Sequence, residues 1–223
     1  MGKNDATFRV LEYFYHQLGE NYSNMDIKFI GLADYNFEYC LNCRECYKTG
    51  VCAIKDDRIE EVHAILKNSD GIIYGSTANM GGISGLLYNF QQRTRTTAEQ
   101  LLYHKPCIVT AVYENFGGMA AINELKRMVI NGGGYVVRSL PIKEFPNQDP
   151  LDERNKGRIE NTIEHYVRNL FRIKPPLPSR VYTALMIHLF LKPYLLKNPD
   201  MNRGILSSWI ERNIIGRKRL GLN

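Results

Sequence analysis

Apolar and polar positions change period along this chain, and each change marks an element. Residues 26–32 (DIKFIGL) read as a short strand. Residues 57–68 place Ile59, Val62, Ile65 and Leu66 on one helical face. Residues 71–75 (GIIYG) form a continuous apolar run after Asp70, the pattern of a parallel strand buried on both faces. A helix is expected over 83–102, a strand over 106–113 and a helix from Gly117-Gly118 to the glycine run 132–134. Residues 135–142 predict another strand. Asp149–Phe171 predicts a long helix with Ile159, Ile163, Tyr166, Val167 and Leu170 facing inward. This β-α-β-α order predicts an α/β fold, a doubly wound parallel sheet with helices on both faces.

The pattern breaks after Lys174. Pro175, Pro176 and Pro178 mark a boundary between a domain over 1–174 and a helical extension over 175–223. Residues 181–196 are strongly apolar, interrupted by His188 and Lys192-Pro193. A run of this length with an internal proline is too short to span a bilayer, which takes about 20 residues. Val181, Leu185, Leu189 and Leu196 are expected to pack, with His188 satisfied in the packed face. Residues 203–215 carry a one-sided stripe of Ile205, Leu206, Trp209, Ile210 and Ile214. The two stripes are expected to pair as a hairpin and dock on the core or a sister subunit. Docking on an acidic membrane surface is the alternative.

Composition narrows the class. Of the 223 residues, 44% are hydrophobic and 23% charged, as in ordinary globular proteins. Residues 1–10 lack the apolar run of a secretory leader, so a reducing cytoplasm is the expected compartment. The formal charge of +6 suits anionic partners such as nucleotide phosphates or an acidic electron carrier. Part of that excess lies at Arg212, Arg217, Lys218 and Arg219. No nucleic-acid recognition motif accompanies it, so no nucleic-acid partner is expected.

The densest chemistry is CLNCRECYKTGVC. Cys40, Cys43, Cys46 and Cys52 are spaced C-x2-C-x2-C-x5-C. Four thiolates on one compact loop suit a cubane iron–sulfur cluster. Structural zinc sites favour two separated knuckles, so the spacing favours a [4Fe–4S] cluster over zinc. Free thiols or two disulfides are the bland alternative. Cys107, inside a strand, reads as a small core hydrophobe.

Ligands of open parallel sheets bind at the carboxyl ends of strands. Two further loops leave such ends. STANMGG offers Ser76, Thr77, Ala78, Asn79, Met80 and Gly81. YENFGG offers Tyr113, Asn115 and Phe116, then Gly117 and Gly118 at a helix start. Together they suit a flat heteroaromatic ligand.

On these motifs the chain resembles the iron–sulfur flavoproteins, within the flavodoxin-like NAD(P)H-dependent FMN reductases. The resemblance covers residues 3–172 and is carried by CLNCRECYKTGVCAIKDD, with Asp56-Asp57 opening a helix, by GIIYGSTANMGGISGLLYNFQQR and by YENFGG. It keeps Ser76, Ser84-Gly85, Phe90 and Arg93, but has Thr77, Asn79 and Gln92 where the family pattern has Pro, Tyr and Asp. The resemblance implies FMN beside residues 76–81 and 113–118, with its phosphate near Lys3, Asn4 and Thr7. It implies NAD(P)H or a ferredoxin-like electron carrier as partner. It also implies a homo-oligomer with the cluster of one subunit near the flavin of another. The family's first strand and most of its phosphate loop have no counterpart before GKNDAT. The expectation is therefore that a preceding segment supplies a central strand, and that the chain as written binds FMN poorly.

Overall fold

A computed structural model describes residues 5–78, 80–144, 149–172 and 174–216. Its centre is a three-stranded parallel sheet in the order β1 (Ile72–Thr77), β2 (Pro106–Tyr113), β3 (Tyr135–Lys143). Ile72 pairs with Cys107 and Thr77 with Val112, so β1 and β2 finish together at their carboxyl ends. Strand β2 is buried on both faces, as its unbroken apolar run requires. Its Cys107, Val109 and Ala111 enter one core cluster, whereas Ile108 and Val112 enter another. Burial pushes the Cys107 thiol up to about 12, as expected of a core residue.

Helices cover both faces. The helix α1 (Ala6–Asn21), not among the predicted elements although Val10, Phe14 and Leu18 recur at helical spacing, shares the second cluster with α7 (Glu153–Leu170). Between them in sequence lie α2 (Glu45–Thr49), α3 (Ile59–Asn68), α4 (Gly85–Arg93), α5 (Thr96–Glu99) and α6 (Gly118–Asn131). Helices α3, α4 and α6 supply the first cluster, through side chains such as Val62, Phe90 and Leu125. In α3 it is His63, not Ile65, that joins Ile59, Val62 and Leu66 in burial.

Three expectations need correction. Residues 26–32 form no strand: they carry no regular structure or ladder pairing and lead into a 3-10 turn at Leu32–Tyr35. The cause is the lack of a neighbouring strand to supply hydrogen bonds. The helix over 83–102 divides into α4 and α5. At the break Arg95 takes a left-handed backbone, φ 56°, and Thr94 Oγ1 donates to the Phe90 carbonyl. That kink turns the Arg95 side chain inward onto acidic partners. Residues 149–152 form a turn, so α7 begins at Glu153, where the Asp152 carboxylate caps the Asn155 amide at 2.7 Å.

The carboxyl-terminal segment comprises α8 (Leu177–Leu185), a π-helical stretch over Met186–Leu191, α9 (Lys192–Leu196) and α10 (Arg203–Glu211). Pro193 has no amide to donate, and the wider π turn lies immediately before it. Thr183, Ile187 and Leu195 are buried, while Val181, Leu185, Leu189 and His188 are exposed, contrary to the expected stripe. Trp209, Ile205 and Leu206 of α10 bury as predicted, in a third cluster against Tyr47, Ala98 and Tyr103. No helix among the described residues is long and apolar enough to cross a membrane.

Candidate functional site

The carboxyl ends of β1 and β2 bring two of the predicted loops together. Gly81 and Gly117 both have left-handed backbones, φ 80° and 86°. A Cβ on Gly117 would lie 2.8 Å from Gly81 Cα, so the approach requires glycine at 117; at Gly81 a Cβ meets nothing and only the left-handed backbone favours glycine. A Cβ on Gly118 would lie 2.3 Å from the Tyr113 ring, which folds over the start of α6. Met80 and Phe116 stand out on either side of this junction, 94% and 70% exposed. No side chain caps the amino end of α6. The loops thus offer exposed apolar surface beside open amides.

Other predicted residues have different duties. Ser76 is fully buried, and its hydroxyl accepts from the Ser84 amide at 3.0 Å, which closes the loop onto α4. Ala78 donates its amide to the Val112 carbonyl at 2.8 Å. Thr77 and Thr7 join their hydroxyls at 2.9 Å, which places the amino end of α1 at the carboxyl end of β1. The Asp5 carboxylate already accepts from the amides of Thr7 and Phe8. Asn115 is exposed. Lys3, Asn4 and Asn79 lie outside the described residues.

The cysteine loop is held at both ends by buried charge. At its start, the Cys40 amide donates to Asn89 Oδ1 at 3.2 Å, and Asn89 Nδ2 donates to the Glu38 carbonyl at 3.1 Å. The Arg93 guanidinium donates to that carbonyl as well and grips both oxygens of Asp57, at 2.8 and 3.0 Å. Burial pushes the Asp57 carboxyl upward, but Arg93 and the Glu38 amide outweigh it and hold the group below the usual carboxylate range. At the end of the loop, the Cys52 amide donates to Glu60 Oε1 at 2.7 Å. Arg95 donates to that same oxygen at 3.0 Å, to the Gly50 carbonyl at 3.1 Å and to Glu99 at 2.7 Å. His63 Nε2 lies 3.2 Å from both Arg95 and Glu99. Finally, α10 seats Gly204 against Gly50 and sends Ser208 to Glu99 at 3.3 Å.

All five cysteines are free; Cys40 and Cys43 are exposed, Cys46 half-buried and Cys52 buried. Burial raises the Cys46 thiol, Arg95 lowers it, and Cys52, Cys43 and Cys40 raise it again as neighbouring negative charges. The four sulfurs are therefore grouped, although among the described residues no three such side chains close around a metal ion. Buried Arg93 adds an unpartnered Nε–H beside Cys52, a donor suited to sulfur ligands. The donor set fits a four-thiolate cluster on these grounds.

The sequence did not expose Arg95, Glu60, His63 and Glu99 as a site. Nothing in their spacing marks them: Arg95 lies between two threonines and Glu99 beside Gln100. Arg93 was visible only as a retained motif position.

Comparison with known proteins agrees with this geometry. A profile of the NADPH-dependent FMN reductases matches residues 2–145. The chain is 37% identical over 214 residues to an iron–sulfur flavoprotein of Clostridioides difficile, covering 96% of this chain and 95% of that protein. It is 38% identical over 71 residues to an iron–sulfur flavoprotein of Methanocaldococcus jannaschii, covering 32% of this chain and 36% of that protein. Among solved structures, the apo form of an NADH:FMN oxidoreductase superposes with a TM-score of 0.60 at 18% identity, covering 80% of this chain and 93% of that one. That likeness shows a shared fold.

Proposed function

The chain belongs to the NADPH-dependent FMN reductase family, alongside the iron–sulfur flavoproteins, and we propose that it passes electrons between FMN and a [4Fe–4S] cluster. It is a flavin oxidoreductase of the NAD(P)H-dependent type. The observation that supports the finer reading is the position of α4. Ser84, at its start, holds the loop over 76–84 through Ser76. Asn89 and Arg93, further along, hold the start of the cysteine loop. Five residues of helix separate Ser84 from Asn89, a rise of about 7.5 Å. One rigid element thus fixes the spacing of the two candidate cofactor sites.

In this reading Met80, Gly81, Phe116, Gly117 and Gly118 border the flavin ring, with Tyr113 and Asn115 behind them. Thr77 and Ala78 lie beside it, Ser76 positions the loop, and Asn79 is assigned to the same loop by the resemblance alone. The phosphate is assigned near Thr7, and the resemblance adds Lys3 and Asn4 to that end of the site. Cys40, Cys43, Cys46 and Cys52 ligate the cluster. FMN supplies a centre that takes two electrons from a hydride donor and releases them singly. The protein's part is to hold, orient and screen, and it needs no acid or base for that transfer. Reduced nicotinamide is the donor the family implies. An acidic carrier such as ferredoxin is the counterpart that the +6 charge favours, and a homo-oligomer is the assembly.

Anaerobically prepared protein tests this reading. Each of Cys40→Ser, Cys43→Ser, Cys46→Ser and Cys52→Ser is expected to lower bound iron and sulfide, and Cys107→Ser is expected to leave both unchanged. Full iron retention in the Cys43→Ser and Cys46→Ser proteins would falsify the cluster. It would favour a flavin reductase with metal-free thiols.

The phosphate end carries a second expectation. The Asp5 carboxylate occupies the amino end of α1, where an anionic phosphate is favoured. Asp5→Ser keeps a capping oxygen and removes the charge. FMN affinity is expected to rise about tenfold, or about 1.4 kcal/mol. Flavin fluorescence titration checks it, and an unchanged Kd would place the phosphate elsewhere.

A further inference from the structure

The helical segment that runs from α8 through the π-helical stretch into α9 is held to the protein along one row. Thr183, Ile187 and Leu195, spaced by multiples of four, are buried. Ile187 and Leu195 share the third cluster with Ile205, Leu206 and Trp209 of α10. The row on the opposite side, Val181, Leu185 and Leu189, is exposed, Leu189 by 61%. We propose that this outer face is a membrane-docking surface, which lies in the plane of a bilayer that contains anionic phospholipid. The inference rests on the carboxyl-terminal segment and is independent of the cofactor assignment.

Three observations carry it. The first is the order of rows around the helix. Residues four apart share a face, and each step along the chain turns about 100°. One step beyond the apolar row lie Tyr182, Phe190 and Tyr194, all exposed. One step before it lie Arg180, His188 and Lys192, of which the first two are exposed and Lys192 is half-buried. The outward apolar row is thus bordered by aromatic rings on one side and by cations on the other, along about 30 Å of helix over 177–196. That is the make-up of a helix that lies at a lipid headgroup boundary, where tyrosine keeps its ring in apolar surroundings and its hydroxyl wet.

The second is charge. Residues 171–199 carry Arg172, Lys174, Arg180, Lys192 and Lys197 without a single Asp or Glu, whereas the whole chain sets 29 basic residues against 23 acidic ones. Cations beside an anionic leaflet lie within its field, and their attraction adds to apolar burial.

The third is what this face does to the competing occupant. A contiguous apolar patch on a folded surface marks an interaction site, and a second copy is the usual partner. A two-fold contact sets the same patch against itself. Here it would oppose cation to cation, because the segment holds no carboxylate to pair with them. An anionic lipid surface supplies the missing complement.

The test mixes the full chain with sedimenting phosphatidylcholine vesicles, with and without phosphatidylglycerol, and measures the bound fraction across lipid concentration. Binding is expected to be at least about tenfold tighter on the anionic vesicles. The triple variant Leu185→Gln, Leu189→Gln, Phe190→Gln changes exposed side chains alone. Its thermal midpoint should match that of the parent, and its binding to anionic vesicles should fall at least about tenfold. Lys192→Gln combined with Lys197→Gln should narrow the difference between the two vesicle types. No sedimentation with anionic vesicles overturns the proposal. Binding that the triple variant keeps in full also overturns it, as general adherence of a cationic chain. A dimer by light scattering that the triple variant converts to monomer, with the parent bound to neither vesicle, overturns it and assigns the face to a second copy.

Discussion

A Gly204→Val protein is expected to lose the grip of α10 on the cysteine loop. A Cβ at Gly204 would lie 2.2 Å from the Gly50 nitrogen, 2.8 Å from Gly50 Cα and 2.9 Å from the Thr49 carbonyl carbon. All three are backbone atoms, so no flexible side chain can yield. Gly50 itself holds a left-handed turn, φ 81°, and donates its amide to the Cys46 carbonyl at 3.0 Å. Its carbonyl is the one that Arg95 grips. Displacing Gly50 therefore moves the chain between Cys46 and Cys52. Overpacking of this kind costs about 1–3 kcal/mol. The thermal midpoint should fall by several degrees, and iron retained after reconstitution should fall with it. Gly157→Ala is the control, because its Cβ would meet nothing within 4 Å. That change in α7 should be neutral or stabilise by up to about 1 kcal/mol. Native iron content and midpoint in the Gly204→Val protein would show that α10 and the cysteine loop are uncoupled.

Glu99 is expected to dominate the acid sensitivity of the same region. Burial pushes its carboxyl up, but His63 and Arg95 outweigh burial and hold it at about 2, against an ordinary 4.5. The folded value lies below the unfolded one, so the stabilisation is present above pH 4.5. It is lost as pH falls from 4.5 towards about 2. The full effect is about 3 kcal/mol. Glu60 is held low by the same Arg95 against its own burial, and it contributes in the same direction. Glu99→Gln leaves Arg95 with one carboxylate partner, and removing one partner of a buried pair costs about 3–5 kcal/mol at neutral pH. Below pH 4.5 the variant should lose stability more gradually than the parent. Urea midpoints measured from pH 7 to pH 2.5 check both statements. Parallel curves for parent and variant would mean that the low value of Glu99 plays no part in acid unfolding.

The two experiments address a coupling that sequence patterns do not display. Trp209 donates to the Ala98 carbonyl at 3.0 Å, and Arg212 donates to the Glu99 and Gln100 carbonyls at 2.7 and 2.8 Å. Through α5 and Arg95 these bonds reach Gly50 in the cysteine loop. The carboxyl-terminal helices are thus built into the wall of the candidate cluster site.

Local physics made much of the chain legible. The continuous apolar runs of β1 and β2 set parallel strands, because a strand covered on both faces tolerates no polar alternation. The thiol spacing pointed to a four-thiolate loop, because it is a property of neighbouring residues, whereas the approach of Gly117 to Gly81 exists only in the folded chain. Tertiary structure decided the rest. Residues 26–32 have the composition of a strand, but a strand exists only where a neighbour supplies hydrogen bonds, and β1 stands across a groove from them. The inward face of the carboxyl-terminal helix was decided by packing: Thr183 and Ile187, one turn apart, are buried, while Val181 and Leu185 are exposed. Arg93 and Arg95 became parts of the site only when folding brought Asp57, Glu60 and Gly50 to them. A buried guanidinium is stable only beside such partners, and no spacing along the chain records which partners those are.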